Sequence, residues 1–210
     1  FVAMLFCQLG RAKSLREICG GLACCEGKLS HLGIAAPPRA TLAYANAHRP
    51  WTLHKLVFFQ LLGRCQEAAK GRRKFRFKNK LVSLDASVID LCATLFDWAT
   101  FRRTKGAVKL HCLLDHDGYL PAFAVVTGGK TSDIKVARRL RFEPGTVVVM
   151  DRGYIDFARL HALAESQAFF VVRARDNMKF RRLYSQPVDH STGLCCDQTI
   201  VLTGIYTPSY

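Results

Sequence analysis

The sequence predicts an α/β fold, a mixed sheet with flanking helices, preceded by a helical and basic N-terminal region. Three observations carry this. Apolar residues recur at helical spacing through residues 1–69, whereas from Leu81 onward short β-type runs alternate with helical stretches. Positive charge is concentrated at the front: residues 1–80 hold 15 Lys and Arg against 3 acids, and residues 81–210 hold 16 against 13. Two of the β-type runs, 81–84 and 147–150, end in an aspartate.

In chain order, Ser14 followed by Glu17 forms a capping box, with Leu15, Ile18 and Leu22 on one helical face behind it. Pro37 and Pro38 break the chain, and Thr41 opens a short helix that ends near Arg49, before Pro50. A further helix over 52–69 is expected to turn Leu53, Leu56, Val57, Leu61 and Leu62 inward. Short helices on a basic background suit a DNA-binding module, although no sharp helix-turn-helix signature is present. Residues 70–80 hold seven basic residues in eleven, interleaved with Phe75 and Phe77. Two readings stay open there, a solvated linker and a strap that contacts phosphate through Arg72, Arg73, Lys74, Arg76, Lys78 and Lys80.

The α/β part starts with a strand over 81–85. Runs 107–114 and 119–127 flank Asp115-His116-Asp117-Gly118, whose Asp-Gly is a hairpin turn. Ser132 then caps a basic helix reaching about Arg141. Residues 146–151 are apolar up to their final Asp, as expected of a strand buried on both faces. A helix over 155–167 and a strand over 168–173 follow. After Arg175, turn-forming residues and short apolar pieces (194–196 and 199–202) suggest the start of further β structure.

Composition bounds the function. Half the residues are apolar, enough for a buried core. The uneven basic charge argues for a polyanionic partner, of which nucleic acid is the commonest. Nine cysteines without zinc spacing point to free thiols in a reducing compartment. No apolar run is long enough for a membrane span, and the opening run 1–9 reads as an internal helix, not a signal peptide, so a cytoplasmic protein is expected.

Asp85 and Asp151 are the candidate catalytic residues. Acids at the C-terminal ends of neighbouring strands stand where open α/β sheets place ligands, and two of them can hold Mg²⁺, a cation that takes oxygen ligands. Asp at a strand end is also a common turn or helix cap, and that reading stays open on composition alone. If one metal site is served, strands 81–85 and 146–151 must be parallel neighbours, with the helix after Ser132 in the crossover. His111 is expected to pack or hydrogen-bond, and Asp115, Asp117 and Asp133 to serve as turn and cap residues. Asp97 is a candidate for supporting Asp85. Arg152 and Tyr154, just beyond Asp151, are placed to touch DNA phosphate, with a purely structural role equally open for Tyr154.

The words around these acids resemble those of a known family. Val82-Ser-Leu-Asp-Ala-Ser-Val-Ile-Asp-Leu91 and Leu95-Phe-Asp-Trp-Ala99 resemble the first catalytic segment of the DDE transposases named after insertion sequence 4. Lys109-Leu-His111, Leu120-Pro121 and Gly129-Lys-Thr-Ser-Asp133 follow in that family's order. Val149-Met-Asp-Arg-Gly-Tyr154 is similar to its second catalytic segment, and Phe169-Phe-Val-Val-Arg-Ala174 to the strand after it. Upstream, Ser14-Leu-Arg-Glu-Ile18 and Arg39-Ala-Thr-Leu-Ala-Tyr-Ala-Asn46 resemble its helical N-terminal region.

The resemblance implies an RNase H-like mixed sheet and an Asp-Asp-Glu triad binding Mg²⁺ or Mn²⁺. It also implies cut-and-paste transposition on double-stranded DNA, both transposon ends and target. Asp85 and Asp151 match the first two triad positions. The third, a Glu in a Tyr-x-x-Arg-x-x-x-Glu helix, has no match here, and Glu165 stands in the wrong word. The expected organisation is therefore a basic helical DNA-binding region over 1–80, a partial RNase H-like core over 81–175 and the start of a β-rich insertion over 176–210. On this reading the chain is a truncated bacterial transposase, inactive by itself, nucleoid-associated, and a homo-oligomer on DNA when full length. The alternative is a DNA-binding remnant without catalysis.

Overall fold

A computed structural model describes residues 1–69, 71, 77–91, 100–102 and 105–204. The chain forms two compact units, Phe1–Arg64 and Cys65–Tyr210. The boundary falls inside the helix α5 (Thr52–Ala69), well before residue 80, so the described part of the basic run, residues 71 and 77–80, belongs with the sheet unit.

The first unit is helical, with α1 (Val2–Leu9), α2 (Leu15–Cys24), α3 (Glu26–Leu29) and α4 (Arg39–His48) ahead of α5. The capping box at Ser14 is present: Ser14 Oγ accepts the Glu17 N–H at 3.2 Å, and the Glu17 carboxylate accepts the Lys13 N–H at 2.8 Å. It starts α2 so that Ile18 and Leu22 face inward, where they pack with Leu29, Leu42 and Phe6. A Cβ on Gly21 would lie 2.6 Å from the Phe6 ring, so only glycine lets α1 approach α2 this closely. Helix α4 begins at Arg39, two residues before the Thr41 expected, because Pro38 already has the φ of a residue at a helix start. The inward face expected of α5 is not formed. None of its residues is buried, and Leu53, Leu56 and Leu61 are exposed. Its apolar residues, Phe58 and Phe59 included, are spread around the helix instead of lying in one stripe.

The second unit is built on a six-stranded mixed sheet. Its strands are β1 (Leu81–Leu91), β2 (Thr100–Arg102), β3 (Lys105–Asp115), β4 (Leu120–Gly128), β5 (Val147–Met150) and β6 (Phe169–Val172). The order is β2-β3-β1-β5-β6, with β4 also paired to β3. Strands β1, β3 and β4 form an antiparallel meander, and β1, β5 and β6 run parallel. This is the RNase H-like arrangement that the sequence implied. The β3–β4 turn falls at the predicted Asp-Gly, with Gly118 at φ 104° and Tyr119 at φ 57°. Between β4 and β5 lies α6 (Asp133–Ala137), and between β5 and β6 lies α7 (Phe157–Glu165).

Three expectations are corrected in these elements. Helix α6 has five residues and does not reach Arg141. The next turn tightens into three-residue bonds, Arg139 to Val136 and Leu140 to Ala137, which carry Leu140 into the core. Nor does the Ser132 side chain cap it. Strand β5 is fully covered on one face only: Val148 and Met150 are buried, Val147 and Val149 half-buried. The core gathers Val82, Leu84, Leu113, Val148 and Met150 from the sheet with Leu140, Tyr154, Leu160 and Leu163 from the helical segments. After β6, β7 (Phe180–Gln186) and β8 (Asp197–Leu202) form a separate antiparallel pair, the β structure expected beyond residue 175. No helix among the described residues is long and apolar enough to cross a membrane.

Candidate functional site

Alternation along β1 turns Val82 and Leu84 into the core and leaves Asp85, one position on, exposed. The same alternation buries Val148 and Met150 on β5 and delivers Asp151 exposed at the strand end. The two strands are parallel neighbours in the register Leu81↔Val147 through Leu84↔Met150. Asp85 and Asp151 are the residues that directly follow the last pair of that register, but β1 runs on to Leu91, so Asp85 lies within its strand and not at the end expected of it, whereas Asp151 follows the end of β5. The strand pairing expected of a shared carboxylate site is thus present, and α6 lies within the connection that the crossover requires.

Each acid has a local partner. Asp151 caps the short 3-10 turn Arg152–Tyr154, its Oδ1 accepting the Gly153 N–H at 2.9 Å. Asp85 Oδ1 accepts the Ala86 N–H at 2.8 Å. Across β3, Asp85 pairs with Cys112, whose thiol pKa is pushed up by burial and then by the Asp85 charge. Both acids keep exposed carboxylates, the hard oxygen donors that a divalent cation of the Mg²⁺ class accepts. Among the described residues no three His, Cys, Asp or Glu side chains stand together as a metal-binding group, so the pair by itself is an incomplete donor set.

A polar cluster joins β3 and the start of α6. Asp133, the first residue of α6, binds Lys109 of β3, with Nζ to Oδ1 at 3.0 Å. It acts through this ion pair and not as a turn or cap residue. His111 is completely buried, with Nε2 at 2.9 Å from Thr127 Oγ1 and Nδ1 at 3.7 Å from Asp133 Oδ1. Burial lowers its pKa, Asp133 opposes that, and Lys109 adds to it. As expected, His111 packs and hydrogen-bonds. Asp115 does hold its turn, accepting the Asp117 N–H at 2.9 Å, and also pairs with Lys80 at 3.1 Å.

Of the residues expected to meet DNA, Lys78 and Lys80 are exposed, and Arg152 is half-exposed with Nη1 at 3.2 Å from Asp176. Arg72, Arg73, Lys74 and Arg76 lie outside the described residues, as does Asp97. Tyr154 is a correction: it is 3% exposed, so its ring belongs to the core and cannot lie along a phosphate backbone. Its hydroxyl has no hydrogen-bond partner among the described residues. Burial, and after it the charges of Asp133, Asp85 and Asp151, push the phenol pKa far up. Sequence reasoning underrated Asp133 and Lys109; only their order within the family's words hinted at them.

Asp85 and Asp151 thus stand exposed on neighbouring parallel strands of an RNase H-like sheet. Comparison with known proteins supplies the family. The family described as "Transposase DDE domain" matches residues 76–206, and a domain of unknown function (DUF4372) matches residues 1–35. The chain belongs to the transposase DDE domain family. It is 31% identical, over 143 residues, to a protein of Sinorhizobium fredii described as the transposase y4zB; the match covers 68% of this chain and 39% of that protein. It is 28% identical, over 133 residues, to a protein of Geobacillus stearothermophilus described as the transposase for insertion sequence element IS5377, covering 63% of this chain and 34% of that one. The chain therefore matches less than two-fifths of the length of either relative. No solved structure matches it.

Proposed function

We propose that Asp85 and Asp151 are two of the catalytic carboxylates of a DNA transposase of the insertion sequence 4 type, acting in cut-and-paste transposition. The observation that supports this reading is the parallel β1–β5 register, Leu81↔Val147 through Leu84↔Met150, which Asp85 and Asp151 directly follow. Their carboxylates would hold Mg²⁺ or Mn²⁺, which in such sites stabilises the attacking and leaving oxygens of an in-line phosphoryl transfer. Asp85 presents its carboxylate from a strand fixed on both sides, and Asp151 from a turn whose Gly153 N–H orients it. The resemblance assigns the third carboxylate to a Glu that the 210 residues do not match, so this polypeptide by itself is expected to bind metal weakly and not to cut DNA.

Double-stranded DNA is the proposed substrate and partner. Arg152, next to Asp151, and the exposed Lys78 and Lys80 supply positive charge in the sheet unit. Residues 1–80 carry the excess basic charge that favours a DNA-binding role, and β7 and β8 are proposed to open a β-rich insertion. A homo-oligomer on DNA, in a bacterial cytoplasm at the nucleoid, completes the reading.

The test is Mn²⁺ binding to the 210-residue chain, read by water-proton relaxation. Asp85→Asn and Asp151→Asn should each abolish or strongly weaken it. Binding that survives both substitutions undiminished removes the assignment and leaves DNA binding without catalysis as the better account.

A further inference from the structure

We propose that the cavity beside α7 lined by Arg138, Arg141 and Arg159 is a phosphate-binding site. It shares no residue with the carboxylate pair and stands whether or not Asp85 and Asp151 hold a metal.

The cavity, about 470 Å³, lies within the sheet unit between residues 138–142 and α7. Arg138 and Arg141 are exposed at it, whereas Arg159 is 7% exposed. Arg159 Nη2 and Arg141 Nη1 both donate to the Leu140 carbonyl, at 2.9 Å and 3.2 Å, which draws two like charges to one oxygen atom. The acid nearest to hand is already engaged. Asp156 Oδ2 accepts Arg138 Nη2 at 2.6 Å, and its Oδ1 accepts the backbone N–H of Arg159 at 2.9 Å. Among the described residues, neither Arg141 nor Arg159 has a carboxylate within ion-pair distance. The Arg159 Nε is buried without a hydrogen-bond partner, and its guanidinium carbon lies 5.6 Å from the centre of the Phe142 ring.

A buried charge without a counter-ion is strongly unfavourable, and arginine does not escape the problem by losing its proton. Burial first, and then the charge of Arg141, lower the Arg159 pKa, with Asp156 opposing them. An anion in the cavity would reverse that balance. With Asp156 neutralising one of the three guanidiniums, about two positive charges remain. A phosphate monoester carries about 1.5 to 2 negative charges at neutral pH and matches them better than a single carboxylate does. Its oxygens also suit the planar guanidinium fork, which binds phosphate in pairs of parallel hydrogen bonds. Arg159 supplies the fixed charge at the back of the site, and Arg138 and Arg141 the donors at its mouth. The phosphate group could belong to a free monoester or to the DNA backbone.

The test compares Arg141→Gln with Arg139→Gln in the 210-residue chain. Arg139 is exposed and next in sequence to this group but does not line the cavity, so the change in net charge is the same. Inorganic phosphate, titrated by ³¹P line broadening, should bind about tenfold more weakly to Arg141→Gln and unchanged to Arg139→Gln. Arg159→Met, which keeps an apolar stem against Phe142, should abolish binding; a lower melting temperature with unchanged phosphate affinity would make Arg159 purely structural and overturn the site. Should that variant fail to fold, the two surface variants still decide. A second arm measures the log-log salt dependence of duplex DNA binding. A slope flattened by up to about 0.9 in Arg141→Gln but not in Arg139→Gln identifies the DNA backbone as the source of the phosphate. Weaker binding of inorganic phosphate with an unaltered slope identifies a free phosphate or monoester. Equal behaviour of the two surface variants in both arms overturns the proposal.

Discussion

Gly153→Ala reaches the site through one methyl group. Gly153 does not have positive φ, so the backbone accepts alanine, but the new Cβ would lie 3.0 Å from Asp151 Oδ1 and 3.5 Å from Oδ2. The crowded oxygen is the one that accepts the Gly153 N–H at 2.9 Å. Asp151 must therefore move by a few tenths of an ångström or release that bond. Loss of a capping bond of this kind costs about 1 kcal/mol, while replacing glycine recovers about 0.4–1 kcal/mol by restricting the unfolded chain. The two nearly cancel, so the melting temperature should move by no more than about 3 °C. The carboxylate, however, is re-aimed, and Mn²⁺ affinity should drop about tenfold. Differential scanning fluorimetry and Mn²⁺ relaxation on one preparation separate the two effects. An unchanged affinity at unchanged stability would mean that the orientation of Asp151 is irrelevant to cation binding. A collapsed fold would mean that the turn, not the carboxylate, needs the glycine.

Two further outcomes follow from burial and charge. Leu163→Ala removes a side chain 1% exposed in the core of the sheet unit and should cost about 2–5 kcal/mol in urea unfolding; Leu61→Ala, on exposed α5, should stay within about 0.5 kcal/mol, and similar losses at both would refute the assignment of the core. Neutralising Arg72, Arg73, Lys74 and Arg76 together should flatten the log-log salt dependence of duplex DNA binding by up to about 0.9 for each phosphate left without its cationic side chain, and an unchanged slope would return residues 70–80 to the role of a linker.

What could be read from the sequence was what local chemistry determines. The Ser14–Glu17 box and the Asp-Gly hairpin depend on neighbours a few residues apart, and each is found where expected. What could not be read depends on distant packing. The period of the Ser132 helix suggested continuation to Arg141, but burial of Leu140 ends the regular helix at Ala137. The apolar residues of α5 implied an inward face, yet nothing within either unit buries one. Lys109 and Asp133 are 24 residues apart, and only the sheet and the crossover bring them to 3.0 Å. Tyr154 read equally well as a surface or a core residue, because nothing in Asp-Arg-Gly-Tyr shows which way the turn will face.

The placement of the two acids is tied to the core through the register. Val82 pairs with Val148 and Leu84 with Met150, and all four side chains are 6% exposed or less. Sliding β5 by one residue along β1 would exchange its faces, bringing Val147 and Val149 to the core side and turning Val148 and Met150 away. At roughly 1.5–3 kcal/mol for each large apolar side chain buried, exposing Val148 and Met150 would forfeit about 3–6 kcal/mol, only partly recovered by burying two half-covered valines. The same slip would set Asp151 beside Leu84 or Ala86 instead of Asp85, and turn its carboxylate toward the packed face. The packing that stabilises the sheet therefore also disfavours every neighbouring arrangement of the acids. A substitution that loosens Val148 or Met150 acts on the site without touching either carboxylate, because the 66-residue offset between the acids is the offset of the strands themselves.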